Sequence, residues 1–194
     1  LLPLMVWTLW WVVLVLLHVV LGNLWRTLNP FVGLYRLLGP RRPLLPYPAR
    51  AAYWPAVAIF FAFAWFQLVY PAPEDPPRVA VVVAAYAAAS LAAVFVFGPD
   101  AWFGRGDPFS VFMTQLSAAA PVSSDGLRWP GQGLLAHPAF PVSGTLFVLL
   151  TLSAISFDGF ANTFLWLSSI GVNPLDYPGR TSLMTANTLG LLVG

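Results

Sequence analysis

The sequence predicts an all-α, polytopic transmembrane helix bundle, and three observations carry that expectation. Hydrophobic residues make up 59% of the chain and charged residues only 8%, against about 25% charged in ordinary soluble domains. So few charges cannot cover the surface of a water-soluble fold of this length. Apolar runs recur that can cross a bilayer, since about 20 residues at ~1.5 Å rise span roughly 30 Å of hydrocarbon. Arginine also alternates between connectors: seven (26, 36, 41, 42, 50, 105, 128) follow the first and third runs, and two (78, 180) follow the second and fourth. That alternation is expected to place connectors 26–53 and 98–143 in the cytoplasm. Residues 1–194 read as a single integral membrane domain with four complete spans plus part of a fifth. The last apolar run, about 14 residues, is too short to cross, so a longer parent chain is expected.

The first span, Pro3 to Trp25, carries Trp7, Trp10, Trp11 and Trp25 and contains His18. Tryptophans near its ends suit the membrane interface, and Trp10 and Trp11, lying deeper, are expected to face lipid or another chain. Leu1–Leu21 lacks the basic start and small-residue cleavage site of a signal peptide. In the basic connector, Asn29 to Leu38 alternates apolar and polar at helical spacing, with Pro30 in a first turn and Gly39-Pro40 as a stop. This predicts a short helix in the plane of the interface. Pro43, Pro46 and Pro48 then impose an extended path.

Tyr53 to Tyr70 is the second span, with Gln67 as its strongly polar residue. A short acidic turn, 71–77, leads into the third span, Arg78 to Phe97, whose Ala84, Ala88 and Ala92 predict a close helix–helix contact. In the long connector 98–143, Asp107-Pro108 reads as an N-cap and first turn, opening an amphipathic surface helix over Phe109 to Ala119. Pro121 to Pro141 is loop, with a turn at Asp125-Gly126. The fourth span, Gly144 to Ser168, holds Asp158 inside an apolar run. Gly171 to Arg180 connects it to the partial fifth.

Several chemistries are excluded by composition. Cysteine is absent, so no disulfide, thiolate nucleophile or cysteine-ligated metal is available. His18 and His137 cannot build an imidazole zinc site by themselves, and no metal site is predicted. The net charge of +2 is dispersed and purely arginine-derived, with no basic block for nucleic acid. No nucleophile motif, phosphate loop or HExxH occurs.

Functional candidates are therefore the polar groups inside the spans. An intramembrane carboxylate costs ~2.5–3.5 kcal/mol on insertion scales and defaults to a functional hypothesis. Helix rise puts Asp158 and Gln67 both ~20 Å above the inner membrane edge, with Asn162 one turn from Asp158. His18 and Ser90 fall at ~11–12 Å. The expected buried polar pairs are thus Gln67 with Asp158, and His18 with Ser90. Asp158 reads as a hydrogen-bonded register residue or as a proton-handling, ligand or catalytic group, with Asn162 beside it. The Asp158-Gly159 step can also break the helix. His18 reads first as a packing histidine. A neutral imidazole there can also ligate a chlorophyll-type magnesium or haem iron.

Several stretches in order resemble the bacterial multi-pass membrane proteins labelled fenitrothion hydrolase. They are Leu28-Asn29-Pro30-Phe31, Leu45-Pro46-Tyr47-Pro48-Ala49-Arg50 running into Tyr53-Trp54-Pro55-Ala56, and Phe63-Ala64-Trp65-Phe66-Gln67-Leu68-Val69-Tyr70. Phe97-Gly98-Pro99-Asp100-Ala101-Trp102, Arg105-Gly106-Asp107 and Ser156-Phe157-Asp158-Gly159-Phe160 follow. The resemblance implies a longer polytopic chain and hydrolysis of organophosphate triesters, but no catalytic residues. That family often has glutamate where this chain has Gln67.

The leading functional expectation is a non-catalytic accessory or structural subunit, with lipid and other membrane subunits as partners. A photosynthetic or respiratory complex is one setting for it. The rivals are a membrane-embedded phosphotriester hydrolase using Asp158 and Asn162, and a transporter coupling protons through Asp158.

Overall fold

The structure, a computed structural model, describes residues 1–39, 42–123, 126–135, 139–173, 175 and 184–193. Arg41, Asp125, His137 and Arg180 lie outside the described residues. Almost all regular structure is helical. Three helices are long and apolar enough to cross a membrane: α1 (Leu4–Leu21), α5 (Pro76–Phe97) and α9 (Val142–Phe160). The expected second and fifth spans are shorter helices, α4 (Trp54–Leu68) and α11 (Met184–Val193), of 15 and 10 residues.

Over its first half α1 is wound wide, its backbone bonds reaching five residues back, as from Leu14 N–H to Leu9 O. It stops at Gly22 rather than running to Trp25. Gly22 has φ 84°, and a Cβ there would lie 2.7 Å from Val122 O, so only glycine lets the two backbones meet. A single turn, α2 (Trp25–Leu28), follows. The short helix expected in the basic connector forms as α3 (Pro30–Leu37): the Asn29 side chain accepts from Phe31 N–H, and Pro30 occupies the first turn. Its Tyr35 packs with Val94 and Trp102 in a small second core.

The main core lies among α1, α4, α7 (Pro108–Ala118) and α9, with α4 and α9 packed most extensively. Ala56, Phe60 and Ala64, spaced one turn apart, form the buried stripe of α4. Trp10 and Trp11 belong to this core instead of facing outward. Trp10 meets Phe109 edge-on at 4.4 Å between ring centroids, and Trp11 stacks on Phe112 at 5.4 Å.

Two further expectations, on α5 and α7, are overturned. Ala84, Ala88 and Ala92 are exposed; α5 instead buries Val79, Ser90 and Val94, with Val94 packed against Tyr35 of α3 and Trp102 of the wide turn α6 (99–106). The helix beginning at Pro108 is also no surface helix. Phe109, Val111, Phe112 and Met113 are all buried, because its apolar residues surround the axis rather than forming one stripe. Its last carbonyls are capped by Arg128, whose guanidinium donates to Ser117 O at 2.7 Å and Ala120 O at 2.9 Å. One connector arginine is thus consumed inside the fold.

The 121–141 segment holds a two-residue antiparallel ladder, β1 (Val122–Ser123) with β2 (Gly126–Leu127), and one turn of helix, α8 (Gln132–Leu135). The expected fourth span is two helices. α9 ends at Phe160, and Thr163 restarts the chain by accepting from Trp166 N–H at the head of α10 (Phe164–Ser169). α11 docks on α9, with Ser153 Oγ donating to Leu191 O at 2.5 Å.

Gly22→Ala forces a side chain into a backbone region open essentially to glycine and into Val122 O. It is expected to lower stability by about 1–3 kcal/mol from backbone strain alone, read as a fall in unfolding midpoint in detergent.

Candidate functional site

Two of the buried polar residues, His18 and Asp107, secure helix ends. His18 is fully buried. Its Nδ1–H donates to Leu14 O at 2.6 Å, and its Nε2 accepts Trp25 N–H at 2.8 Å. The second bond fixes the tautomer, since a nitrogen that accepts carries no proton. It also satisfies an orphan N–H at the start of α2. Both ring nitrogens are engaged, so the arrangement offers no lone pair to a magnesium or haem iron. The expected partnership with Ser90 does not form either. Ser90 Oγ is buried without a hydrogen-bond partner among the described residues. Trp25 lies seven positions after His18, and no motif announces the link.

Among the described residues, Asp107 is the buried carboxylate. The residue expected as an N-cap does cap α7, its Oδ2 accepting Ser110 N–H at 2.8 Å. Its Oδ1 accepts the Tyr86 hydroxyl at 2.5 Å, a partner absent from the sequence expectations. This bond joins α5 to α7. Burial pushes the Asp107 carboxyl above its ordinary range, partly offset by the Tyr86 and Ser110 bonds that favour the charged form. Around it, Tyr86 meets Phe31 at 5.7 Å and Phe109 at 5.1 Å, both edge-on.

Asp158 lies elsewhere. It sits near the end of α9 on an exposed face, and no hydrogen bond or ion pair holds its side chain among the described residues. The helix runs through Asp158-Gly159 and breaks only after Phe160, so the expected break falls three residues later. Asn162 falls in that break and is also exposed, outside the helix that would stack it over Asp158. Gln67 and Asp158 do share a groove of about 230 Å³ between α1, α4 and α9, walled by Trp11, Phe60 and Phe63. Equal depth had suggested this neighbourhood; an outward-facing groove rather than a buried pair is what the fold builds.

A second recess, apolar throughout and about 390 Å³, lies between the first half of α1 and α5. Among the described residues no three His, Cys, Asp or Glu side chains gather as a metal site.

Fold and site together define a helical protein whose three longest apolar helices are compatible with a membrane location, with buried His18 and Asp107 bonded at helix termini and Asp158 facing outward. No protein-family model, curated protein or solved structure matches the chain.

Two substitutions separate the parts played by the Asp107 clasp. Asp107→Ala removes a cap and strands a buried phenol, with an expected loss of about 2–4 kcal/mol in detergent unfolding. For pH, the sign follows from the raised folded-state pKa. Asp107 contributes fully below the unfolded carboxylate range, and that contribution is lost as pH rises through its folded value. Tyr86→Phe deletes a bond that favours the anion, so the loss should extend to higher pH, measurable as a shifted stability–pH profile.

Proposed function

We propose that this chain is a non-catalytic accessory subunit of a bacterial inner-membrane complex, crossing the bilayer with connectors 26–53 and 98–143 leaving on the cytoplasmic side and their helices α3 and α7 folded back against the spans. The outward placement of Asp158 carries the reading. The buried carboxylate Asp107 and the imidazole of His18 are occupied in holding helices, whereas Asp158 stands in a groove on an apolar flank beside Gln67. A carboxylate on a lipid-facing flank is costly, which favours a partner group supplied from outside this bundle. The occupant is a helix of another subunit, or of further spans of this protein, that brings a hydrogen-bond donor or cation to Asp158. A photosynthetic or respiratory assembly would provide such helices.

The groove also favours one rival. It brings Gln67 and Asp158 together, so helices added there could complete a phosphotriester hydrolase of the fenitrothion hydrolase type, in which Asp158 is the catalytic carboxylate. A transporter moving protons through Asp158 is the remaining alternative.

Asp158→Asn separates the three. For the subunit reading, the substitution weakens association with the native partner by about 2–5 kcal/mol, the penalty of leaving a buried partner charge unpaired. Thermal unfolding of the purified chain should not change. The measurement is the proportion of chain in the native complex on blue-native gels. Intact assembly with lost phosphotriester turnover would instead establish the hydrolase, and lost substrate-driven proton uptake the transporter.

A further inference from the structure

We propose that the recess between α1 and α5 is a lipid site that orders one hydrocarbon chain of a phospholipid from the leaflet on the 71–77 side. The proposal rests on the membrane placement argued above, and not on the role of Asp158.

The recess is lined by Val6 and Trp10 of α1, Phe63 of α4, and Val79, Val83 and Ala87 of α5. Its one hydroxyl-bearing wall, Tyr86, already spends that hydroxyl on Asp107. Almost none of the surface a ligand would meet inside is polar, so the chemistry it favours is hydrocarbon. An extended peptide would leave its backbone N–H and C=O groups unpaired there.

Shape separates a lipid chain from a partner helix. The inner end is closed by a relay of rings running from α3 and α5 to α7 and α1. Phe31 meets Tyr86 at 5.7 Å, Tyr86 meets Phe109 at 5.1 Å, and Phe109 meets Trp10 at 4.4 Å. A spanning helix must continue for roughly 30 Å and cannot pass this barrier. From Val79 to Ala87 the open length is ~12 Å by helix rise, close to the ~15 Å of hydrocarbon in one leaflet. Val83 and Met5 remain exposed along the flank, which gives a chain its way in. At the outer end Arg78 is half exposed, held by Asp75 at 3.1 Å and over the Tyr70 ring at 5.3 Å. A phosphate headgroup would sit at that level. An unfilled recess would forfeit the dispersion contacts its walls can make, and bilayer chains are the available filler.

The test is photolabelling of the wild-type protein in phosphatidylcholine vesicles containing a phosphatidylcholine with a diazirine in one acyl chain. Mass mapping should find adducts concentrated on Val82, Val83 and Ala87, above those on Val81 and Leu152, which face outward. Ala87→Trp, which fills the recess, should abolish the recess adducts and leave those on Leu152. Equal labelling of Val83 and Val81 would overturn the lipid site while leaving the membrane placement standing. Absence of adducts even on Leu152 would overturn both. Recess adducts undiminished in folded Ala87→Trp, or protein cross-links at Val83 in place of lipid, would also overturn it. Should Ala87→Trp fail to fold, the wild-type distribution decides the matter alone.

Discussion

The structure depends on placing a short helix, α7, at the centre of an apolar bundle. A helix carries unpaired N–H groups at one end and unpaired C=O groups at the other, and burying them without partners is costly. Asp107 answers the first end and Arg128 the second. With both ends satisfied, Phe109, Val111, Phe112 and Met113 can present side chains all round to α1 and α4. The carboxylate that caps α7 also receives the Tyr86 hydroxyl, so one group fixes both the centre of the fold and the position of α5.

The same economy runs through the other buried polar groups. His18 is set in the kind of apolar helix that invites a cofactor reading, yet its two nitrogens are taken by Leu14 O and Trp25 N–H. Its task is to turn the chain from α1 into α2. Trp65 and Trp166 likewise donate their indole N–H groups to Thr188 and Asn187, tying α11 to α4 and α10. Where charges are few, these polar side chains are spent on holding helix ends and helix pairs together.

Much of this was legible from sequence where the signal is local. Asn29-Pro30 and Asp107-Pro108 marked helix starts because a cap and a fixed φ need no distant partner. The apolar runs located α1, α5 and α9 for the same reason. What escaped depended on tertiary neighbours. The end of α1 at Gly22 is set by Val122, a hundred positions away. The break after Phe160 relies on Thr163, a cap that apolar periodicity alone does not reveal. Alanine spacing on α5 named a contact face, but alanine suits an outward face equally well, and the larger Val79, Tyr86 and Val94 took the inner one. For the site, common depth grouped Gln67 with Asp158 as a buried pair, and the fold sets them along one open groove instead; depth says nothing about azimuth and so also gave His18 the wrong neighbour.

The ring relay from Phe31 through Tyr86 and Phe109 to Trp10 has a mechanical consequence. Helices that interlock ridge into groove have their separation dictated by many small contacts at once. Here α5 stands off from α1, and the spacing between them is gauged by a few aromatic plates held in line by one phenolic hydroxyl. The flank therefore behaves like a spacer-supported wall, whose stiffness comes from its crosspieces rather than from the two uprights touching.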